Sequence, residues 1–192
     1  MTRKQALLTL IISCLTFLAG GILFNWHKVF PRKYSPKPLY LFRSLIEEIS
    51  ETIIPATETP GAKDAKVVNY IINVMERCTS GEERRNFLLR LEELQNYSFK
   101  RFSARFEDCT SDAKIAVLKH FETKNSFTNP LINKIKRKIW GESFFEQMKR
   151  LVVSGYCTSK LGVTQGLMYD PIPVEYLTCV PYYPNQRSWA TK

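Results

Sequence analysis

The stretch LYLFRSLIEEISETIIP, residues 39–55, places Phe42, Leu45, Ile46, Ile49 and Ile53 three and four positions apart. Side chains at that spacing fall on one face of a helix. Pro55 ends the pattern, because its nitrogen has no proton to donate and its ring clashes with the preceding turn. A helix with one apolar face must bury that face against another element.

The chain downstream supplies more helices of the same kind. After a short loop, Pro55 to Pro60, Thr59 is an expected N-cap with Pro60 in the first turn, and Val67, Val68, Ile71, Ile72 and Met75 form the buried stripe. Ser80 and Glu83 have capping-box spacing for a third helix, with Phe87, Leu88, Leu91 and Leu94 sharing a face. Thr110 is placed to cap a fourth, buried through Ile115, Leu118 and Phe121. A further helical segment begins around Pro130. Phe144, Phe145, Met148, Leu151 and Val152 make the last stripe, and Gly155 suits the end of that helix. Alternating strand patterns are scarce, so the expected fold is all-α, a small bundle of about five or six helices.

The two ends read differently. Past Arg3 and Lys4, residues 6–24 carry no charge, a length near the roughly 20 residues that span a bilayer. Residues 1–24 are therefore expected to be a signal or transmembrane anchor, and 25–38, with three prolines and no periodicity, a tether to a domain spanning 39–192. Ile11-Ile12-Ser13-Cys14 resembles a lipobox and makes Cys14 a candidate for lipidation. Arg3-Lys4-Gln5-Ala6-Leu7 looks like a twin-arginine leader in which Lys4 replaces the second arginine. From about residue 156 the chain is rich in Tyr, Gly, Pro and Thr, an irregular tail. Its Tyr156, Tyr169, Tyr176, Tyr182, Tyr183 and Trp189 are residue types favoured at interfaces. A tail wrapped on its own bundle is the other reading.

Composition narrows the functional classes. A net charge of +10 in 192 residues attracts anionic partners, but no zinc-finger spacing, ribonucleoprotein signature or basic zipper accompanies it, so nucleic acid is not expected. There is no GxGxxG after a strand and no GxxxxGK[ST], so neither dinucleotide nor nucleoside triphosphate is expected to bind. Of the two histidines, His27 lies in the tether, and His120 is expected on a helix face. The pairs Glu47 with Glu48, Glu82 with Glu83 and Glu92 with Glu93 are adjacent on helices and splay apart, as solvated faces. Lys134, Lys136, Arg137 and Lys138 beside Ile135 and Ile139 read first as a plain solvated face and second as a docking surface for a membrane or an acidic partner.

The cysteines Cys14, Cys78, Cys109, Cys157 and Cys179 lack the paired spacings of zinc, iron–sulfur or haem attachment. In an oxidising compartment the four in the body can form two bridges, or one can reach a partner chain; Cys157 and Cys179 are the candidate pair. Cys78 and Cys109 also suit buried small hydrophobes. No catalytic, cofactor or metal residues are assigned.

The segment 53–62, IIPATETPGA, and the Phe144-Phe145 helix leading into Gly155-Tyr156-Cys157-Thr158-Ser159 resemble the gluconate 2-dehydrogenase subunit 3 family. Residues 162–170, GVTQGLMYD, with Pro173, Tyr176 and Cys179, continue the likeness, which spans roughly Leu39 to Cys179. The resemblance implies a small exported subunit accompanying a large FAD-dependent flavoprotein of the glucose-methanol-choline type, often with a cytochrome c subunit carrying haem. The flavin would belong to the partner, and this chain would have no cofactor.

On that basis the expected role is an accessory subunit of a membrane-bound, periplasm-facing dehydrogenase at the bacterial inner membrane, supporting maturation, export or anchoring of the flavoprotein. Pro55, Thr57, Thr59, Pro60, Gly61, Tyr156, Ser159, Tyr169 and Tyr176 are the candidate partner interface. The 55–62 loop, with two prolines and a glycine, reads first as a rigid corner joining two helices and second as a presenting surface. A free-standing membrane-anchored envelope lipoprotein or binding module is the alternative. An enzyme using Cys157 or a carboxylate pair ranks last.

Overall fold

A computed structural model describes residue 16, residues 38–124, 142–170, 172, 179 and 181–190. The chain divides into two units, Met1–Pro36 and Lys37–Lys192, and the second carries the described fold. The leader with Cys14, the tether up to residue 37, most of the segment from Pro130 with its basic cluster, and Tyr176 lie outside the described residues. Among the described residues no helix is long and apolar enough to cross a membrane.

The described body is all-α. A 3-10 turn, Leu39–Phe42, leads into α1 (Arg43–Ile53), followed by α2 (Val67–Arg77), α3 (Gly81–Phe102), α4 (Ser111–Lys124) and α5 (Phe144–Cys157). The stripes meet in one core: Leu45, Ile46 and Ile49 of α1, Val67, Val68, Ile71 and Met75 of α2, and Phe87, Leu88, Leu91 and Leu94 of α3 are all buried. Phe144, Met148, Leu151 and Val152 of α5 close it. Phe42, Ile53, Ile72 and Phe145 pack against it half-buried.

Local chemistry sets the helix ends. Ser80 caps α3 by accepting from the Glu83 N–H at 3.1 Å, with Glu82 and Glu83 at the positive end of the helix dipole and Lys100 and Arg101 at the negative end. Ser143 and Glu146 form a full capping box on α5, each side chain accepting from the other's backbone N–H. The rings of Phe87 and Phe144 lie 5.6 Å apart, and Phe121 meets Phe144 edge-on at 6.2 Å, so aromatic contacts join α3, α4 and α5.

Four expectations need correction. The second helix begins at Val67, not at Thr59 and Pro60. Residues 62–66 make one turn of their own, in which Lys66 takes a left-handed conformation (φ 53°) and the N–H groups of Lys66 and Val67 bond back to the carbonyls of Lys63 and Ala62. That is the closure of a helix C-terminus, so a break separates this turn from α2. Gly155 lies inside α5, buried: a Cβ there would come within 2.8 Å of the Tyr70 ring and 3.0 Å of Val67. It is the close-approach point between α2 and α5, not a terminus. On α4, Ile115 is 40% exposed and Val117 takes the inward place beside Leu118 and Phe121, on the face that also carries Lys114, paired with Glu48 of α1. Finally, the tail does not become irregular at 156: α5 continues to Cys157, and a π turn, Gly162–Gly166, follows.

Candidate partner interface

The loop after α1 is organised by Glu51. Its Oε1 accepts the Ala56 N–H at 2.9 Å and its Oε2 the Lys63 N–H at 2.9 Å, so one carboxylate ties both ends of the 55–62 corner. Gly61 has to be glycine, because a Cβ there would lie 2.5 Å from Glu51 Oε1 and 2.6 Å from the Ala56 nitrogen. The Ala62 N–H donates to the Ile54 carbonyl at 3.0 Å, Gly61 N–H to Asp64 Oδ2 at 3.0 Å, and Thr57 N–H to the Thr59 carbonyl at 3.0 Å. With its backbone donors occupied in this way, the corner is held in one shape.

One turn earlier on α1, Glu48 receives Lys63 Nζ at 2.5 Å and Lys114 Nζ at 2.8 Å. Burial acts to raise the Glu48 pKa, but the hydrogen bonds from Lys114 and Lys63 outweigh it and hold the carboxyl below its ordinary range. The bond to Glu48 in turn raises the Lys63 ammonium above its usual value. The corner is thereby tied to α1 and, through the same carboxylate, to α4.

The C-terminal segment reaches the corner through Tyr156. This side chain is buried, with its hydroxyl donating to the Pro60 carbonyl at 2.7 Å. The ring rests on the π turn: a Cβ on Gly166 would lie 2.5 Å from the Tyr156 hydroxyl oxygen, and one on Gly162 only 2.0 Å from its carbonyl oxygen. Ser159 Oγ donates to that carbonyl at 2.8 Å and accepts the Gly162 N–H at 3.0 Å, which fixes the start of the turn. Two segments a hundred positions apart in sequence thus form one surface feature.

The expected interface residues divide accordingly. Pro55 and Thr57 lie on the exposed rim with Ala56 and Glu58; Thr59, Pro60 and Ser159 are half-buried; Gly61 and Tyr156 are buried and support the rim from within. Tyr169 is exposed, after the π turn. Cys157 is half-buried and Cys179 exposed, and both are free thiols here, as are Cys78 and Cys109. His120 is half-buried and stacks on Tyr97 with ring centroids 4.1 Å apart.

Glu51, Lys63, Lys114 and Gly166 carry no signal of their own in the sequence, and Glu48, expected with Glu47 on a solvated face, is instead half-buried between Lys63 and Lys114. The bonds of Glu51 and Glu48 span five, twelve, fifteen and sixty-six positions and follow no helical or strand period that would have marked them. Among the described residues no group of three histidine, cysteine or acidic side chains gathers as a metal site, and no buried side-chain nitrogen or oxygen lacks a hydrogen-bond partner. The corner's polar groups are spent on holding its own shape, and what it offers outward is the rim.

A family model described as gluconate 2-dehydrogenase subunit 3 matches residues 43–174, from the start of α1 through the π turn. No curated protein and no solved structure matches the chain.

Proposed function

We propose, from the premise that the chain belongs to the gluconate 2-dehydrogenase subunit 3 family, that it is a non-catalytic accessory subunit of a membrane-bound, FAD-dependent sugar or polyol dehydrogenase facing the periplasm. Its task is to support maturation, export or anchoring of the large glucose-methanol-choline-type flavoprotein. The flavin resides in that partner, and a cytochrome c subunit carries haem as a third component.

The observation that carries the reading is the Tyr156 to Pro60 bond at 2.7 Å. It joins the two segments through which the family likeness is read and leaves the rim, Pro55 to Glu58, exposed on a corner tied by Glu51 and Tyr156. A preorganised rim loses little conformational entropy when a partner covers it, which suits a docking subunit.

The test is to express the chain with its native leader in its source cell, recover it in gentle detergent and record the visible spectrum. A flavin spectrum with a large co-eluting chain is expected. A colourless, solitary chain, under conditions in which known complexes survive, overturns the proposal in favour of a free-standing envelope protein.

A further inference from the structure

The last turn of α3 and the loop behind it gather a second surface. Helix α3 is divided in charge along its length. Between Glu82 and Glu93 it carries four acidic and three basic side chains, and Arg90 pairs with Glu93. From Leu94 to Phe106 there is no acidic residue, and Lys100, Arg101 and Arg105 are all exposed. None of these three pairs with a carboxylate among the described residues.

Local geometry holds the third cation beside the other two. Ser103 ends the helix in a left-handed conformation (φ 54°), its N–H donating to the Phe99 carbonyl at 2.9 Å. The chain then doubles back: Ser98 Oγ donates to the Ala104 carbonyl at 3.2 Å, and the Phe106 N–H to Gln95 Oε1 at 3.3 Å. Arg105 is therefore fixed between two residues tied to α3. The acids that follow weigh less. Glu107 is half-buried and accepts from Gln95 Nε2 at 2.8 Å, Asp108 is exposed, and the next, Asp112, sits in the first turn of α4.

Two phenylalanines stand among these cations. Phe99 is 61% exposed and Phe102 38%, three positions apart and so on one side of the helix. Cations at a helix C-terminus complement its dipole, which by itself accounts for Lys100 and Arg101. It does not account for two phenyl rings left in water beside them. Phenyl rings with lysine and arginine around them suit a bilayer interface, where the rings reach the acyl boundary and the cations stay on the phosphates. The charge selects anionic head groups. A nucleic acid would instead call for a cationic groove that tracks its backbone, and these cations surround one helix end.

We infer that this end of α3, with Phe99, Phe102, Lys100, Arg101 and Arg105, docks on the anionic phospholipid surface of the membrane. The inference rests on the membrane-bound reading, in which only the tether of residues 25–38 separates the body from a bilayer. It adds the face of the body that meets lipid.

The experiment reconstitutes the full-length chain in phosphatidylcholine vesicles with or without about one third phosphatidylglycerol. It reads the quenching of an added tryptophan by brominated acyl chains, with the parent's own tryptophans as background. Phe99→Trp puts the reporter in the patch. Leu89→Trp, 41% exposed on the same helix and about 15 Å nearer its start, is the control. Thermal melting checks that each variant stays folded. Quenching of Phe99→Trp is expected in anionic vesicles and not in neutral ones, with Leu89→Trp spared in both. Adding Lys100→Gln, Arg101→Gln and Arg105→Gln should weaken docking on the order of a hundredfold, from about fivefold per cation, and return the quenching to its level in neutral vesicles. Equal quenching in both lipids, equal quenching at both positions, or quenching that survives loss of the three cations overturns the docking face. No quenching anywhere also overturns it, and leaves the patch to an acidic protein surface. A parent chain that fails to float with either vesicle overturns the membrane-bound reading as well.

Discussion

The Tyr156 hydroxyl donates to the Pro60 carbonyl oxygen at 2.7 Å, across 96 positions of sequence. The same ring fills the space that a side chain at Gly166 would need. One buried tyrosine thus holds the α1–α2 corner against the turn that follows α5.

Tyr156→Phe keeps the ring and removes the donor, leaving the Pro60 carbonyl without this partner. A loss of about 1 kcal/mol in unfolding free energy is expected, read from urea denaturation. Amide exchange at Ala56, Thr57 and Ala62 should quicken, because their bonds depend on the shape of the corner. Unchanged exchange at these three amides would show that Glu51 alone holds the loop.

Gly61 and Gly81 make a matched pair. A methyl at Gly61 meets the Glu51 carboxylate and the Ala56 backbone, whereas at Gly81, the first residue of α3, nothing stands within 4 Å. Gly61→Ala is expected to cost about 1–3 kcal/mol through forced displacement of backbone. Gly81→Ala should be neutral or stabilising by up to about 1 kcal/mol, since alanine narrows the unfolded ensemble. Denaturation midpoints in the reverse order would contradict the geometry of the corner.

The Glu48 carboxylate, with Lys63 and Lys114 on its two oxygens, makes stability depend on pH. Its folded pKa lies below the ordinary 4.5, so the unfolded chain takes up the proton first as pH falls. The contribution is complete above about pH 4.5 and is lost on descending through the lower folded value. Glu48→Gln should cost about 1–2 kcal/mol at pH 7, between the values for exposed and buried pairs because Lys63 is well exposed and Lys114 is not. The gap between parent and variant should close below that window. A gap that persists after the parent's Glu48 carboxylate is fully protonated would assign the loss to packing.

Ser143→Ala removes the side chain that accepts from the Glu146 N–H and undoes the capping box of α5. About 1 kcal/mol should be lost. Thermal melts compared with Ser80→Ala, which removes the equivalent cap on α3, test this. If Ser143→Ala has no effect, α5 is held by its buried face alone.

The helical stripes were legible because burial repeats with the period of the helix. Leu45, Ile46 and Ile49, Val67 and Val68, Phe87, Leu88, Leu91 and Leu94, and Phe144, Met148, Leu151 and Val152 all turn inward as their spacing requires. The family likeness was legible in the same way, since the segments that carry it are contiguous, and residues 43–174 match. Ile115 was misplaced because its period is as good as that of Val117; which of them faces inward depends on how α4 is rolled, and the tie from Lys114 to Glu48 on another helix bears on that. The start of α2 was misplaced because Thr59 and Pro60 are good helix starters locally, while Glu51 and Asp64 bind that backbone into a corner instead.

What the sequence by itself determined is the helical class, the inward faces and the family, all of which are written in short-range patterns of residue type. Only the tertiary structure decided that Gly155 is a packing point for Tyr70 and Val67, that Tyr156 latches to Pro60, and that Met168 pairs with Trp189 in an isolated bridge. The reason is physical: a periodic pattern tells which way a side chain faces, but the partner it meets is set by chain closure over tens of residues. No spacing along the chain encodes that distance.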